Sequence, residues 1–195
     1  IKIVYPSNGA DLKGLIKAAY HDPNPVVILE HKGLYWSKVK GTEAARTTLP
    51  AEDYILPLGK AAITQAIEEK SDKSCLSVIT YGMGVHWALN ASSEMRDRIE
   101  IIDLRTLYPL DEASIFNSVR KTGKCLIVTE EPVNNSFARS LAGLVQENCF
   151  EQLDGPVRVI GSENMPAIPL NSTLEQTMIP NSEKVKDAII SLLEY

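Results

Sequence analysis

Three groups of residues in this chain have the types and spacing that chemistry asks for. Gly82-Met83-Gly84 joins an apolar run to a helical pattern, where glycines permit a tight turn and free backbone N–H groups can receive an anion. His86 follows just inside that helix, so Gly82, Gly84 and His86 form a candidate anion loop. The spacing is not the full dinucleotide fingerprint, and a plain structural turn beside a hydrogen-bonded, half-buried histidine accounts for the same residues. Asp103, Arg105 and Asp111 surround the end of a second apolar run, the edge at which parallel sheets bind ligands. An internal salt bridge from Arg105 to Asp103 or a neighbouring carbonyl, with Asp111 as a helix cap, accounts for these. Glu130-Glu131 closes a third run. Paired carboxylates suit acid–base work, yet no nucleophile or metal-ligand pattern accompanies them, and a solvated or interface pair is the alternative. No residue is assigned as catalytic, cofactor-binding or metal-ligating. Cys75, Cys125 and Cys149 are odd in number and far apart, a pattern that suggests neither a disulfide framework nor a metal-ligand cluster, and they read as small core residues.

The elements that must position these groups follow from hydrophobic period. Glu100–Glu131 reads as a βαβ unit: Ile101, Ile102 and Leu104 form a strand, Leu110, Ile115 and Val119 recur at helical spacing, and Cys125–Val128 is a run suited to burial on both faces. Asp111 is a plausible cap, Thr122-Gly123 stops the helix, and the crossover makes the two strands parallel in one sheet. A strand at Cys75–Thr80 leads through the Gly82 turn into a helix with Val85, Leu89 and Met95, and Ile99 near its end. A further strand is expected at Pro156–Ile160, with helices at Ser136–Phe150 and Ser182–Leu193. Residues Ala61–Lys70 suit a helix by composition or a strand-like arm. The first thirty residues form another βαβ unit, with Asn8 capping its helix. The polar stretch His31–Asp53 is long for a loop inside a compact domain and reads as a linker. The fold class is α/β: three layers, α/β/α, around a mainly parallel sheet.

Composition narrows the function. With 44% hydrophobic residues the chain can bury an ordinary core, and its formal charge of −5 argues against nucleic acid or an anionic membrane surface as partner. No apolar run approaches the ~20 residues of a membrane span, and no signal-peptide pattern opens the chain. A cytoplasmic location in a bacterium, or the mitochondrial matrix in a eukaryote, is therefore expected.

The run Asp103–Asp111, DLRTLYPLD, with Lys121-Thr122-Gly123 leading into IVTEE, resembles the C-terminal domain of the transketolase-like thiamine diphosphate enzymes. The likeness is strongest to the beta chains of 2-oxo acid dehydrogenases. It extends through Glu30–Tyr35, Leu56–Ala61, Thr80–His86 and Leu153–Val157, while Val145–Val157 is most similar to the branched-chain type. The resemblance implies that residues 1–30 are the last βαβ of a truncated pyrimidine-binding domain, 31–53 a linker and 54–195 the transketolase-like C-terminal domain.

It further implies oxidative decarboxylation of 3-methyl-2-oxobutanoate (2-oxoisovalerate), with acyl transfer to a lipoyl group. Thiamine diphosphate and Mg²⁺ are expected in the full enzyme and not in this chain, because the family's Gly-Asp-Gly motif and its following Asn have no counterpart here. The isolated chain is accordingly expected to be inactive. The implied partners are an alpha chain or fused alpha region, a second copy of the beta chain, and the basic peripheral domain of a lipoyl acyltransferase. Asp154, in the Leu-Asp-Gly-Pro turn, and Tyr195, the final residue, match the family's docking positions; a turn cap and a frayed terminus are the plainer alternative. Pyruvate dehydrogenase is the nearest rival activity, ahead of transketolase or deoxyxylulose-phosphate synthase. A stand-alone nucleotide- or phosphate-binding regulatory module built on the Gly82 loop is a rival of another class.

Overall fold

The computed structural model describes residues 1–67 and 74–195. Its main sheet has five strands in the order β3-β5-β4-β7-β8, where β3 is Ala62–Gln65, β4 Leu76–Thr80, β5 Ile99–Asp103, β7 Cys125–Pro132 and β8 Arg158–Ser162. Strands β5, β4, β7 and β8 are parallel, and only the edge strand β3 runs against its neighbour. Side chains alternate along the central strands and so build two cores. Ile79, Ile102 and Ile127 face α3 (Glu112–Thr122) and α4 (Phe137–Cys149). Val78, Ile101 and Leu126 face α2 (Met83–Ala91) and α6 (Ser182–Leu193). Each of these fully buried aliphatic side chains contributes roughly 1.5–3 kcal/mol. The three-layer α/β/α arrangement is the one read from the sequence, and the two strands of the central βαβ unit lie parallel with β4 between them.

Local signals set most helix ends. Asn8 accepts a hydrogen bond from the Asp11 N–H at the start of α1 (Gly9–His21), Asp111 accepts from the Ser114 N–H, and Gly123 ends α3 at φ +75°. The region of Ile99 differs from expectation. Helix α2 stops at Ala91, and Ile99 opens β5 instead of closing the helix. The charged Glu100 hid the start of that strand. It is 1% exposed, and the Lys121 ammonium pairs with it from α3. Strand β8 begins two residues later than expected. Of Ala61–Lys70, residues 62–65 form a strand and residues 68–70 lie outside the described part. A short helix α5 (Ser172–Met178) had no clear sequence signal.

A second sheet, in the order β2-β1-β6, joins the beginning of the chain to its middle: β1 (Lys2–Val4) is parallel to β2 (Val26–Ile28) and antiparallel to β6 (Thr106–Tyr108). Val4, Leu15 and Leu56 form its small core. The polar stretch between His31 and Asp53 contains short 3₁₀ turns over Lys32–Ser37, kinked at Tyr35 and Trp36, and over Glu43–Ala45. The carboxyl ends of β1, β4 and β7 thereby meet along one seam, where the chemistry-bearing residues gather.

Candidate functional site

At the seam, the turn after β4 is filled from the first sheet. Gly82 adopts φ +53°, and a Cβ there would lie 2.7 Å from the ring of Tyr5. A Cβ on Gly84 would collide with the Thr80 hydroxyl and come within 3.3 Å of the Val128 carbonyl. The Gly84 N–H donates to the Tyr81 carbonyl at 3.1 Å, and residues 81–86 are all buried. His86 is 2% exposed, and its Nε2 lies 2.8 Å from the Ser7 carbonyl. Burial holds its pKa below the usual histidine value, so the neutral ring donates through Nε2–H. Nδ1 is then a buried acceptor without a partner, which costs less than an orphaned donor. The contacts of Gly82, Gly84 and His86 are those of a packed turn, and they leave no open cradle for a diphosphate.

Asp103, Arg105 and Asp111 have separate jobs. Asp103 is fully buried; it accepts from the Ser7 hydroxyl at 2.5 Å and from the Arg105 N–H at 3.0 Å. Arg105 does not bridge Asp103 through its side chain. Its guanidinium instead grips Asp11 in a two-point pair, Nε–Oδ2 2.8 Å and Nη2–Oδ1 3.0 Å. Asp111 caps α3 and also accepts from the Ala61 N–H at 3.1 Å. Against the upward push of burial, hydrogen bonds from Ala61 and Ser114 keep its pKa low.

Burial pushes the Asp103 carboxyl up to about 6, with the Ser7 bond pulling the other way. An acid whose folded pKa exceeds its unfolded value holds its proton longer in the native state. Its folded state therefore loses stability as pH rises from about 4 through about 6. Relative to Asp103→Asn, the wild-type chain is expected to be weaker against urea at pH 7 than at pH 4. Parallel pH profiles for the two proteins would show that Asp103 does not titrate in that window.

Glu130 and Glu131 also diverge. His31 Nε2 reaches Glu130 at 3.0 Å, and that hydrogen bond raises the histidine pKa. Glu131 accepts from the Tyr81 hydroxyl and from the Ala138 N–H at the start of α4, both at 3.1 Å. Two carboxylates with separate partners do not form an acid–base dyad. Beside them Tyr5 and Tyr81 stand at the ends of β1 and β4, ring centroids 5.6 Å apart. Burial lifts the Tyr5 phenol to about 12, so it is a neutral contact surface at physiological pH. Ser7, Asp11 and the two tyrosines were missed in the sequence, although Tyr5 and Tyr81 directly follow apolar strands. Among the described residues no group of three or more His, Cys, Asp or Glu is placed to hold a metal.

On the far side of the molecule the Asp154 N–H donates to the Gly123 carbonyl at 2.7 Å, and its carboxylate covers Gly123. The Tyr195 ring lies over Gly155, at 3.0 Å from where a Cβ would stand, and remains 74% exposed. Asp154 and Tyr195, 41 residues apart in the chain, line the same two depressions, one of which includes the exposed Phe150.

A family model described as "Transketolase, C-terminal domain" matches residues 65–185, more than half of the chain. The chain belongs to the transketolase C-terminal domain family. This transketolase C-terminal domain and its leading βαβ unit align along their whole length with 2-oxoisovalerate dehydrogenase subunit beta of Bacillus subtilis, at 39% identity, covering 100% of the chain and 57% of that protein. Pyruvate dehydrogenase E1 component subunit beta of Rhizobium meliloti is 34% identical over 97% of the chain and 39% of its own length. Acetoin:2,6-dichlorophenolindophenol oxidoreductase subunit beta of Bacillus subtilis is 34% identical over 99% of the chain and 53% of its length. The chain thus spans little more than half, or less, of the curated relatives it matches. A solved structure of a split-gene transketolase, an inactive beta4 tetramer, superposes with a TM-score of 0.73 over 99% of the chain and 58% of its own. At 18% identity it speaks for the fold alone.

Proposed function

We propose that this chain is the C-terminal part of the beta chain of a thiamine diphosphate-dependent 2-oxoisovalerate dehydrogenase, and that it serves subunit assembly and acyltransferase docking rather than catalysis. The observation that carries the reading is the alignment, over the whole of this chain and 57% of the relative, at 39% identity with a 2-oxoisovalerate dehydrogenase beta subunit. Its narrow margin over the 37% identity with a pyruvate dehydrogenase beta subunit, across 95% of the chain, keeps pyruvate as the second substrate reading. In the proposed assembly, thiamine diphosphate and Mg²⁺ are bound by segments outside this chain, because the Gly82 turn is occupied by Tyr5 and the neutral His86 beside it offers no charge to a diphosphate. When bound, the cofactor supplies the electron sink for decarboxylation. An alpha chain or fused alpha region and a second beta chain complete the enzyme.

The docking role rests on Asp154 and Tyr195 lying side by side at one surface, a carboxylate and an exposed aromatic that together suit a basic partner domain. A rim carboxylate steers association, and an aromatic buried on binding slows release. Calorimetric titration with the basic peripheral domain of a lipoyl acyltransferase is expected to show about tenfold weaker binding for Asp154→Lys and for deletion of Tyr195. The Asp154→Lys loss should shrink as salt rises. Wild-type affinity in both variants would remove the two residues from the interface.

A further inference from the structure

A cleft of 620 Å³ opens at the carboxyl ends of β4, β7 and β8 and runs across the seam to the first sheet. Its floor is Tyr5 and Tyr81; its opposite wall comes from the segment leading into and out of α5, including Ile168 and Met178. Two properties set it apart from an ordinary surface groove. Two of the apolar side chains along that wall are left to solvent, with Ile168 68% and Met165 44% exposed, though water contact disfavours them. All the charged residues lining the cleft are glutamates: Glu130, Glu131, Glu163 and Glu175. Glu130 and Glu131 are held by His31 and Tyr81, whereas among the described residues the Glu163 and Glu175 side chains meet no hydrogen-bond or ion-pair partner. Two free carboxylates flanking an apolar trough call for a ligand with positive charge spaced along an aliphatic surface.

We propose that this cleft binds an extended polypeptide segment of a partner protein, one that carries lysine or arginine between aliphatic residues. The aliphatic side chains would cover Ile168, Met165 and the Tyr5 ring, and the cations would meet Glu163 and Glu175 at the rim. A polypeptide fits better than a small cation because the two free carboxylates belong to separate elements, the end of β8 and α5, with the exposed aliphatic wall between them. The cleft lies away from the Asp154 and Tyr195 surface, with which it shares no lining residue, so the proposal does not depend on the dehydrogenase reading.

Fluorescence anisotropy on the whole chain tests it with short labelled peptides: one alternating Leu and Lys, one with Glu in place of each Lys, and one with Ser in place of each Leu. Saturable binding is expected for the first alone. It should weaken about tenfold in the double variant Glu163→Lys/Glu175→Lys, and severalfold in Ile168→Ser, whose charge is unchanged. The control Glu147→Lys/Glu151→Lys, an equal charge change on an exposed surface outside the cleft, should bind like wild type. Far-UV circular dichroism would establish that each variant is folded. Equal affinity for the three peptides would overturn the proposal, as would equal weakening by the control variant. Displacement of the peptide by agmatine at comparable concentration would overturn it in favour of a small-cation site.

Discussion

Replacing Arg105 by Ala is expected to cost about 3–5 kcal/mol of unfolding free energy, which for a chain of this size lowers the melting midpoint by on the order of 10 °C. The reason is what remains behind. Asp11 is 3% exposed, its carboxylate is gripped at two points by the guanidinium, and removal of the cation leaves a buried charge with only the Asn8 amide, among the described residues, to meet it. Arg105 sits at φ +56°, but Ala at that position bears a similar backbone cost, so the loss reports the side chain. Arg105→Lys should fall between the two, since a lysine keeps the charge and loses the fork. The pair ties α1 to the turn after β5, so the first βαβ unit should loosen first, and amide exchange in β1 and α1 should rise ahead of that in β4 and β7. A loss below about 1 kcal/mol would show that Asp11 is readily rehydrated, and the pair would not then be what holds the seam.

The second large effect is expected at Gly82. Its backbone, at φ +53° and ψ −126°, lies where side-chain-bearing residues are strained by about 1–3 kcal/mol, and the Cβ of Gly82→Ala would also press on the Tyr5 ring. Overpacking adds a similar amount, for a total of about 2–6 kcal/mol by urea denaturation. Tyr5→Ala relieves the collision and leaves the backbone strain. The double variant should therefore lose less than the sum of the singles, with a coupling of roughly 1 kcal/mol. A loss below about 1 kcal/mol would contradict the packed-turn account, and protection of the wild type by phosphate or a nucleotide, abolished in Gly82→Ala, would make the loop an anion site.

Features set by near neighbours in the chain were legible. Asn8, Asp111 and Gly123 act within a turn of their helices, and the apolar runs of β4 and β7 mark buried parallel strands whatever lies beside them. What escaped depends on distant partners. Glu100 reads as a break in a strand until Lys121 is brought to it, and β6 has no pattern of its own because its ladder is completed by Ile3 and Val4. Arg105 has an acid two residues away, so a local reading pairs it with Asp103; the sheet seam supplies Asp11 from 94 positions earlier. The same holds for function. Asp154 and Tyr195 were singled out by likeness to a family, and the fold adds that they share one surface, which spacing along the chain does not contain.

The most direct test of the proposed identity is substrate preference in the assembled enzyme. The complete beta chain, combined with its alpha chain, thiamine diphosphate and Mg²⁺, should oxidatively decarboxylate 3-methyl-2-oxobutanoate with a kcat/KM on the order of tenfold or more above that for pyruvate, the margin that branching in an apolar pocket supports. The isolated 195-residue chain should be inactive toward both. A reversed preference would make the enzyme a pyruvate dehydrogenase, and absence of decarboxylation with either acid in a correctly assembled complex would contradict the dehydrogenase function itself.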